Sequence, residues 1–213
     1  MIRLKDEHGS WVYDNWSKVG VLIALVYTGY FVLFPYGGGS TILAYKFWPF
    51  VAMIPAFLIH QFEEFTVFDF TSWLNRTVFK SDRDGFPVSR KSAFVGNVPV
   101  FWSLGIVAAV LVFLFDFIFF AVFVLVVMFV DGWFHVSYIV GEGRVSPGVV
   151  TSLLLYLPLP AYTVLRYYST GELAGGELLA IFLASFAFTT AIIVAARRRM
   201  MGAIRASPGP AEI

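Results

Sequence analysis

The chain has no cysteine among its 213 residues, which excludes disulfides, iron–sulfur clusters, thiolate zinc sites and a cysteine nucleophile. A bound metal would have to rest on imidazole, carboxylate or amide groups. Charge is scarce as well: 14% of residues are Asp, Glu, Lys or Arg, against about a quarter in soluble domains. A net charge of +1 and the lack of a long basic tract give no signal for nucleic acid. HExxH, GxSxG and a Gly-rich phosphate loop are also missing, so protease, lipase and nucleotide-binding readings lack support.

What is present is apolar. Hydrophobic residues make up 59% of the chain and aromatics 19%, with 24 Phe. A bilayer core of about 30 Å needs roughly 20 apolar residues per helix. Six stretches qualify: Val19–Tyr36, Ala44–Phe65, Val95–Phe115, Phe117–Tyr138, Pro147–Tyr167 and Glu177–Ala196. The first ends at Gly37-Gly38-Gly39, the second carries Pro49 and Pro55, and Asp116 makes a tight turn between the third and fourth. Residues 66–92 read as a connector lying in the interface, with Phe68, Phe70, Trp73, Leu74 and Phe79 set among charges. Residues 197–213 read as a tail. The fold class is therefore all-α: one polytopic transmembrane bundle of about six helices over residues 1–213. The charged and aromatic segment Met1–Lys18 is a poor signal-peptide n-region, which predicts that the first helix is retained.

Lys and Arg set the orientation. Thirteen of the fifteen basic residues fall on one side: Arg3, Lys5, Lys18, Arg76, Lys80, Arg83, Arg90, Lys91, Arg144, Arg197, Arg198, Arg199 and Arg205. Lys46 and Arg166 fall on the other, as snorkelling anchors. Both termini are predicted to be cytoplasmic, in a multi-pass protein of the cell membrane.

Ionisable groups at membrane depth are expensive and mark function by default. Here they converge on the cytoplasmic leaflet. The second helix ends in His60-Gln61-Phe62-Glu63-Glu64. Asn97 opens the third, Asp131 and His135 with Tyr138 close the fourth, and Ser146-Pro147-Gly148 opens the fifth. His60, Glu63 and Glu64 share one helical face, and Asp131, His135 and Tyr138 form a stripe at i, i+4 and i+7. Two such faces meeting in a bundle can build a metal site. The bland alternative is that these groups cap and snorkel near the headgroups. His8 sits in a polar tail, away from the others.

The His60-x-x-Glu63-Glu64 block resembles the signature of the HXXEE motif-containing membrane proteins. Asn97, His135, the run Ser146-Pro147-Gly148-Val149-Val150-Thr151 and Pro158 are similar to that family's pattern too. The resemblance implies a small multi-helix membrane protein with suspected enzymatic activity, and no substrate.

The residues lead to an expectation of a metal-dependent enzyme acting on a lipophilic substrate. His60, Glu64 and His135, with Asp131 as an additional ligand, would hold a divalent ion, zinc or iron. Glu63 would act as general base or second ligand, Asn97 would orient a carbonyl, and Tyr138 would donate a proton or hydrogen bond. The same residues without metal would suit acid–base isomerisation or cyclisation. A small transporter or a membrane assembly protein are the non-enzymatic alternatives. The expected partners are the lipid bilayer and a small lipophilic molecule.

Overall fold

A computed structural model describes residues 11–33, 47–81, 83 and 85–206. Helix is the regular structure of these residues, with no strand among them. Six helices are long and apolar enough to cross a membrane: α1 (Trp11–Leu33), α2 (Trp48–Val67), α4 (Arg90–Phe115), α5 (Ile118–Glu142), α6 (Val149–Ser169) and α7 (Gly175–Ala206). A short helix, α3 (Phe70–Thr77), lies between α2 and α4. The expectation of an all-helical chain with six candidate spans is met. His8, Arg3, Lys5, the 37–39 glycine run and Lys46 lie outside the described residues, as do the end of the first expected span and the start of the second.

The helix ends follow from local chemistry. Pro49 stands in the first turn of α2, where its missing N–H costs nothing. Ser89 and Ser92 form a reciprocal capping box that starts α4 at Arg90, five residues before the apolar run begins. Asp116 takes φ +54° and turns α4 directly into α5. Gly143, at φ +64°, ends α5 in the left-handed conformation that glycine adopts freely. α7 runs on through Arg197-Arg198-Arg199 to Ala206, so the first part of the expected tail is helical.

Three spans widen into π-helical turns: Glu63–Val67 at the end of α2, Val98–Trp102 in α4 and Ser152–Tyr156 in α6. Pro99 supplies one cause, since it cannot donate the usual i→i−4 bond. π turns inside α-helices are rare and recur at functional sites.

α2 and α5 are the inner helices. More than half of the most apolar window of each is buried, against 6% of that of α7. The core joins Phe50, Met53 and Ala56 of α2 to Ala108 and Val112 of α4, Ala121, Val122, Leu125 and Met128 of α5, and Tyr156 and Tyr167 of α6. Lipid tails are as apolar as Leu, so close packing rather than transfer from water holds such helices together. Small residues at the contacts permit it: Ala56, Ala108 and Ala121 are buried. At Gly132 an added Cβ would stand 2.8 Å from the Tyr156 Cβ. α5 and α6 touch backbone to side chain there, which brings α6 up to the polar ends of α2 and α5.

Outside the spans, Asp69 caps α3 from a left-handed backbone conformation and accepts bonds from Ser72 N–H at 3.3 Å, Thr71 Oγ at 2.7 Å and Ser72 Oγ at 2.8 Å. Burial pushes its carboxyl up. The hydrogen bonds from Thr71 and Ser72 and the charge of Arg90 outweigh that and hold it below the ordinary aspartate value.

Candidate metal centre

α2 and α5 each carry two candidate ligands one turn apart, His60 with Glu64 and Asp131 with His135. At i, i+4 spacing each pair projects from one face. Where the faces meet, His60 Nε2 lies 3.5 Å from Asp131 Oδ2 and 3.8 Å from Glu64 Oε1. His135 Nε2 lies 3.3 Å from Glu64 Oε1 and 3.9 Å from Asp131 Oδ2. The imidazole centroids are 5.1 Å apart. Ligand atoms of His60, Asp131 and His135 all lie within 4.8 Å of one another, close enough to hold a metal ion. A tetrahedral ion with bonds of about 2.0–2.2 Å keeps its ligand atoms about 3.3–3.6 Å apart. The His–carboxylate contacts of 3.3–3.9 Å lie at or just above that range, and the three-residue group, within 4.8 Å, would draw together by up to about 1 Å around an ion.

Both histidines are buried, as is Glu64, while the Asp131 side chain is 46% exposed. The cluster is therefore closed on three sides and open at Asp131.

The outer ring nitrogens define what the inner ones offer. Ser146 gives its single hydroxyl proton to the His135 carbonyl at 3.0 Å, so the 3.3 Å contact with His135 Nδ1 must be Nδ1–H donating to Oγ. Thr151 donates its hydroxyl to Glu63, so His60 Nδ1–H donates to Thr151 Oγ1 at 2.7 Å. In the neutral rings both Nε2 atoms are then bare lone pairs, turned towards two carboxylates. Such outer hydrogen bonds fix the tautomer and aim of metal-binding histidines.

Among the described residues, two buried side-chain polar atoms lack a hydrogen-bond partner, and both are here: His60 Nε2 and Tyr156 Oη. Their rings stack at 3.9 Å between centroids and 26° between planes. An unpartnered buried polar atom costs about 1–3 kcal/mol. Two in adjacent rings at one cluster point to a ligand.

The loop before α6 completes the wall. Gly148 has φ +85°, and a Cβ there would stand 2.7 Å from His60 Cε1, 3.0 Å from Glu64 Cγ and 3.2 Å from His135 Cε1. Only glycine lets the backbone approach the ligands this closely.

The other expected site residues are placed differently. Glu63 is buried, and both its oxygens are engaged: Oε1 accepts Val150 N–H at 3.0 Å and Oε2 accepts Thr151 N–H at 2.7 Å together with the Thr151 hydroxyl. It caps the N-terminus of α6, where free amides and the helix dipole favour a carboxylate. Asn97 donates from Nδ2 to the Ala93 carbonyl at 2.9 Å and accepts from Gln61 Nε2 at 3.1 Å, while Trp102 Nε1 donates to Gln61 Oε1 at 2.7 Å. It belongs to a polar chain between α2 and α4. Tyr138 sets its ring against Trp73 at 5.0 Å, and Phe70 lies 6.2 Å from His135, so α3 covers this end of the cluster.

Reading single helical faces leaves Ser146, Gly148, Thr151 and Tyr156 without ligand-supporting roles, beyond the opening of the fifth helix at Ser146-Pro147-Gly148. The first three fall in the run Ser146–Thr151, noticed through its resemblance to a family pattern. No local signal marks Tyr156, which reads as one more aromatic of an apolar helix.

No curated protein and no solved structure matches the chain. A family model described as "Protein of unknown function with HXXEE motif" matches residues 51–163, more than half of the chain and every residue of the cluster. The chain belongs to the family of HXXEE-motif proteins.

Proposed function

We propose that the chain is a membrane-embedded enzyme that holds a divalent metal between His60, Glu64, Asp131 and His135 and acts on a lipophilic substrate. The observation that carries the reading is the orphaned His60 Nε2, buried and facing carboxylate acceptors at 3.5 and 3.8 Å. Acceptors gathered without a donor repel one another unless a cation lies between them. Zinc and iron both suit two imidazoles with carboxylates. When bound, such an ion would supply Lewis-acid chemistry to a substrate oxygen or to water.

The chain's own groups divide the remaining work. Asp131, on the open side, is the ligand best placed to give way to a substrate. Tyr156 offers a phenol with no other partner, suited to hydrogen-bonding a substrate oxygen. Glu63 acts through others: it caps α6 and holds Thr151, which holds His60. We therefore assign it positioning rather than the role of general base. Asn97 and Tyr138 support the walls of the site. The distribution of basic residues supports a cytoplasmic placement of the cluster and of both termini in the cell membrane.

A metal-free reading rests on one contact. The 3.3 Å between His135 Nε2 and Glu64 Oε1 also suits a protonated imidazole beside a carboxylate, the pair needed for acid–base isomerisation or cyclisation.

Metal content decides between them. Protein purified in detergent without chelators is expected to carry near-stoichiometric metal by mass spectrometry. His60→Ala, Glu64→Ala and His135→Ala, still monodisperse, are expected to lose it. Zinc would indicate hydrolysis and iron would indicate oxidation. No metal in the parent after reconstitution with either ion overturns the metalloenzyme and leaves the acid–base reading.

A further inference from the structure

An apolar cavity of about 340 Å³ lies between α1, α2, α4 and α5. Phe57, Trp102, Gly105, Val127 and Met128 are among its walls, and Ile23 and Ile106, exposed on the outer surface, stand at its rim. The interior of a folded chain is otherwise close-packed, with few voids larger than a water molecule. An apolar void does not hold water, which needs two or more polar partners. The fitting occupant is hydrocarbon, and the exposed rim lets it enter sideways from lipid.

The helical register ties this cavity to the cluster. Phe57 precedes His60 by three residues, and Val127 precedes Asp131 by four. On a helix, offsets of three and four lie about 60° and 40° around the axis from the reference residue and roughly one turn deeper, about 4.5–6 Å away. Both ligand-bearing helices therefore turn from chelating side chains to cavity wall within one turn. Trp102, a wall of the cavity, donates from Nε1 to Gln61, the residue after His60, and Gln61 donates in turn to Asn97.

The geometry points to a single-chain amphiphile as the substrate class: its hydrocarbon chain fills this cavity and its oxygen-bearing head, a carboxylate or ester, reaches the His60–His135 cluster. This rests on the metal-site reading for the head, while the cavity alone carries the chain.

Gly105 provides the test. It lines the cavity, and a Cβ there would meet nothing within 4 Å. Gly105→Phe places a ring in the void without a backbone clash, and replacing a helical glycine favours the helix. The probe is a long-chain fatty acid with a mid-chain diazirine, photolysed in nanodiscs, with adducts mapped by peptide mass spectrometry. In the parent, adducts are expected on Phe57, Leu104 and Met128, and in Gly105→Phe they should fall about ten-fold or more, because one close-packed space cannot hold both groups. Labelling of the exposed α7 residues Phe182 and Leu183 by surrounding lipid should not change. Equal cavity labelling in the two proteins, or labelling confined to exposed faces, overturns the proposal. Gly105→Leu, with a smaller side chain, serves the same comparison if the Phe variant does not fold. Metal content measured on the same samples keeps the two readings apart: it should be unchanged in Gly105→Phe. Cavity labelling in a parent protein that takes up no metal even on reconstitution would sink the metal site and leave the cavity standing.

Discussion

Replacing Gly148 with alanine should damage the cluster more than any other single methyl added to a described glycine. Two costs combine there. An L-residue at φ +85° is strained by about 1–2 kcal/mol. The new Cβ also meets His60 Cε1 at 2.7 Å and Glu64 Cγ at 3.0 Å, too close for either to remain. Overpacking of that kind costs about 1–3 kcal/mol. The sum, about 2–5 kcal/mol, corresponds to an apparent melting temperature lower by roughly 5–15 °C for a chain of this size. His60 Cε1 is bonded to Nε2, so the shift also moves a ligand atom, and metal should be lost. Two further glycines separate the causes. Gly143 has φ +64° with nothing within 4 Å of a Cβ, so Gly143→Ala carries strain alone and should cost about 1–2 kcal/mol with metal retained. Gly96 is helical and open, so Gly96→Ala should be neutral or stabilising by roughly 0.5–1 kcal/mol. The assay is a thermal melt at one fixed scan rate, because such unfolding is often irreversible, with metal per chain measured alongside. If Gly148→Ala melts like Gly143→Ala and keeps its metal, the loop is not a wall of the site and the reasoning fails.

Three further outcomes are expected. Glu63→Gln puts an amide N–H where an oxygen now accepts from α6, and should cost about 1.5–3 kcal/mol and weaken metal binding 10–100-fold through Thr151 and His60, read by chelator competition; unchanged affinity would remove Glu63 from the support of His60. Tyr156→Phe deletes an unpartnered buried hydroxyl, so the melting temperature should hold or rise while turnover of a substrate, once found, falls; a marked loss of stability would mean that the hydroxyl has a partner in the folded state. Asp69 is held below its ordinary value, so it adds stability above about pH 4 that disappears as pH falls through its folded value. The protection factor of the Ser72 amide, its exchange rate corrected for the intrinsic pH dependence, should therefore fall on acidification in the parent, and Asp69→Asn should flatten that dependence.

Much of this could be read from the residues, because lipid imposes simple rules. Runs of apolar residues separated by Asp116 or by charged connectors announce helices, and i, i+4 spacing places His60 and Glu64 on one face of their helix and Asp131 and His135 on one face of theirs. The meeting of those two pairs was legible as a convergence of polar ends, though not as distances. Glu63 shows where the reasoning stops. Offsets of three and four both count as one face, yet they lie about 100° apart around the axis, on either side of His60. Glu64 therefore turns to α5 and Glu63 to the start of α6. Which flank meets which neighbour depends on how the spans pack, and no local pattern contains that. Thr151 and Tyr156 were hidden for the same reason, since their importance lies in contact with a residue some ninety positions away. The left-handed backbone at Gly148 is a property of the loop's path and leaves no mark beyond the glycine itself.

The π turns have a consequence for how such a site can change over time. A wider turn accommodates an extra residue, and everything beyond it is rotated by about 100° relative to an uninterrupted α-helix. In α2, α4 and α6 the two halves of one span are thus set in different phases, so the lipid-facing stripe of one half does not dictate which side chains the other half shows to the cluster. Substitutions can tune the chemistry at one end while the apolar pattern that seats the helix in the bilayer stays as it is. Loss of a single residue within such a turn would erase that independence and swing half a helix out of phase, whereas the same loss in the connector before α4 would leave the spans in register.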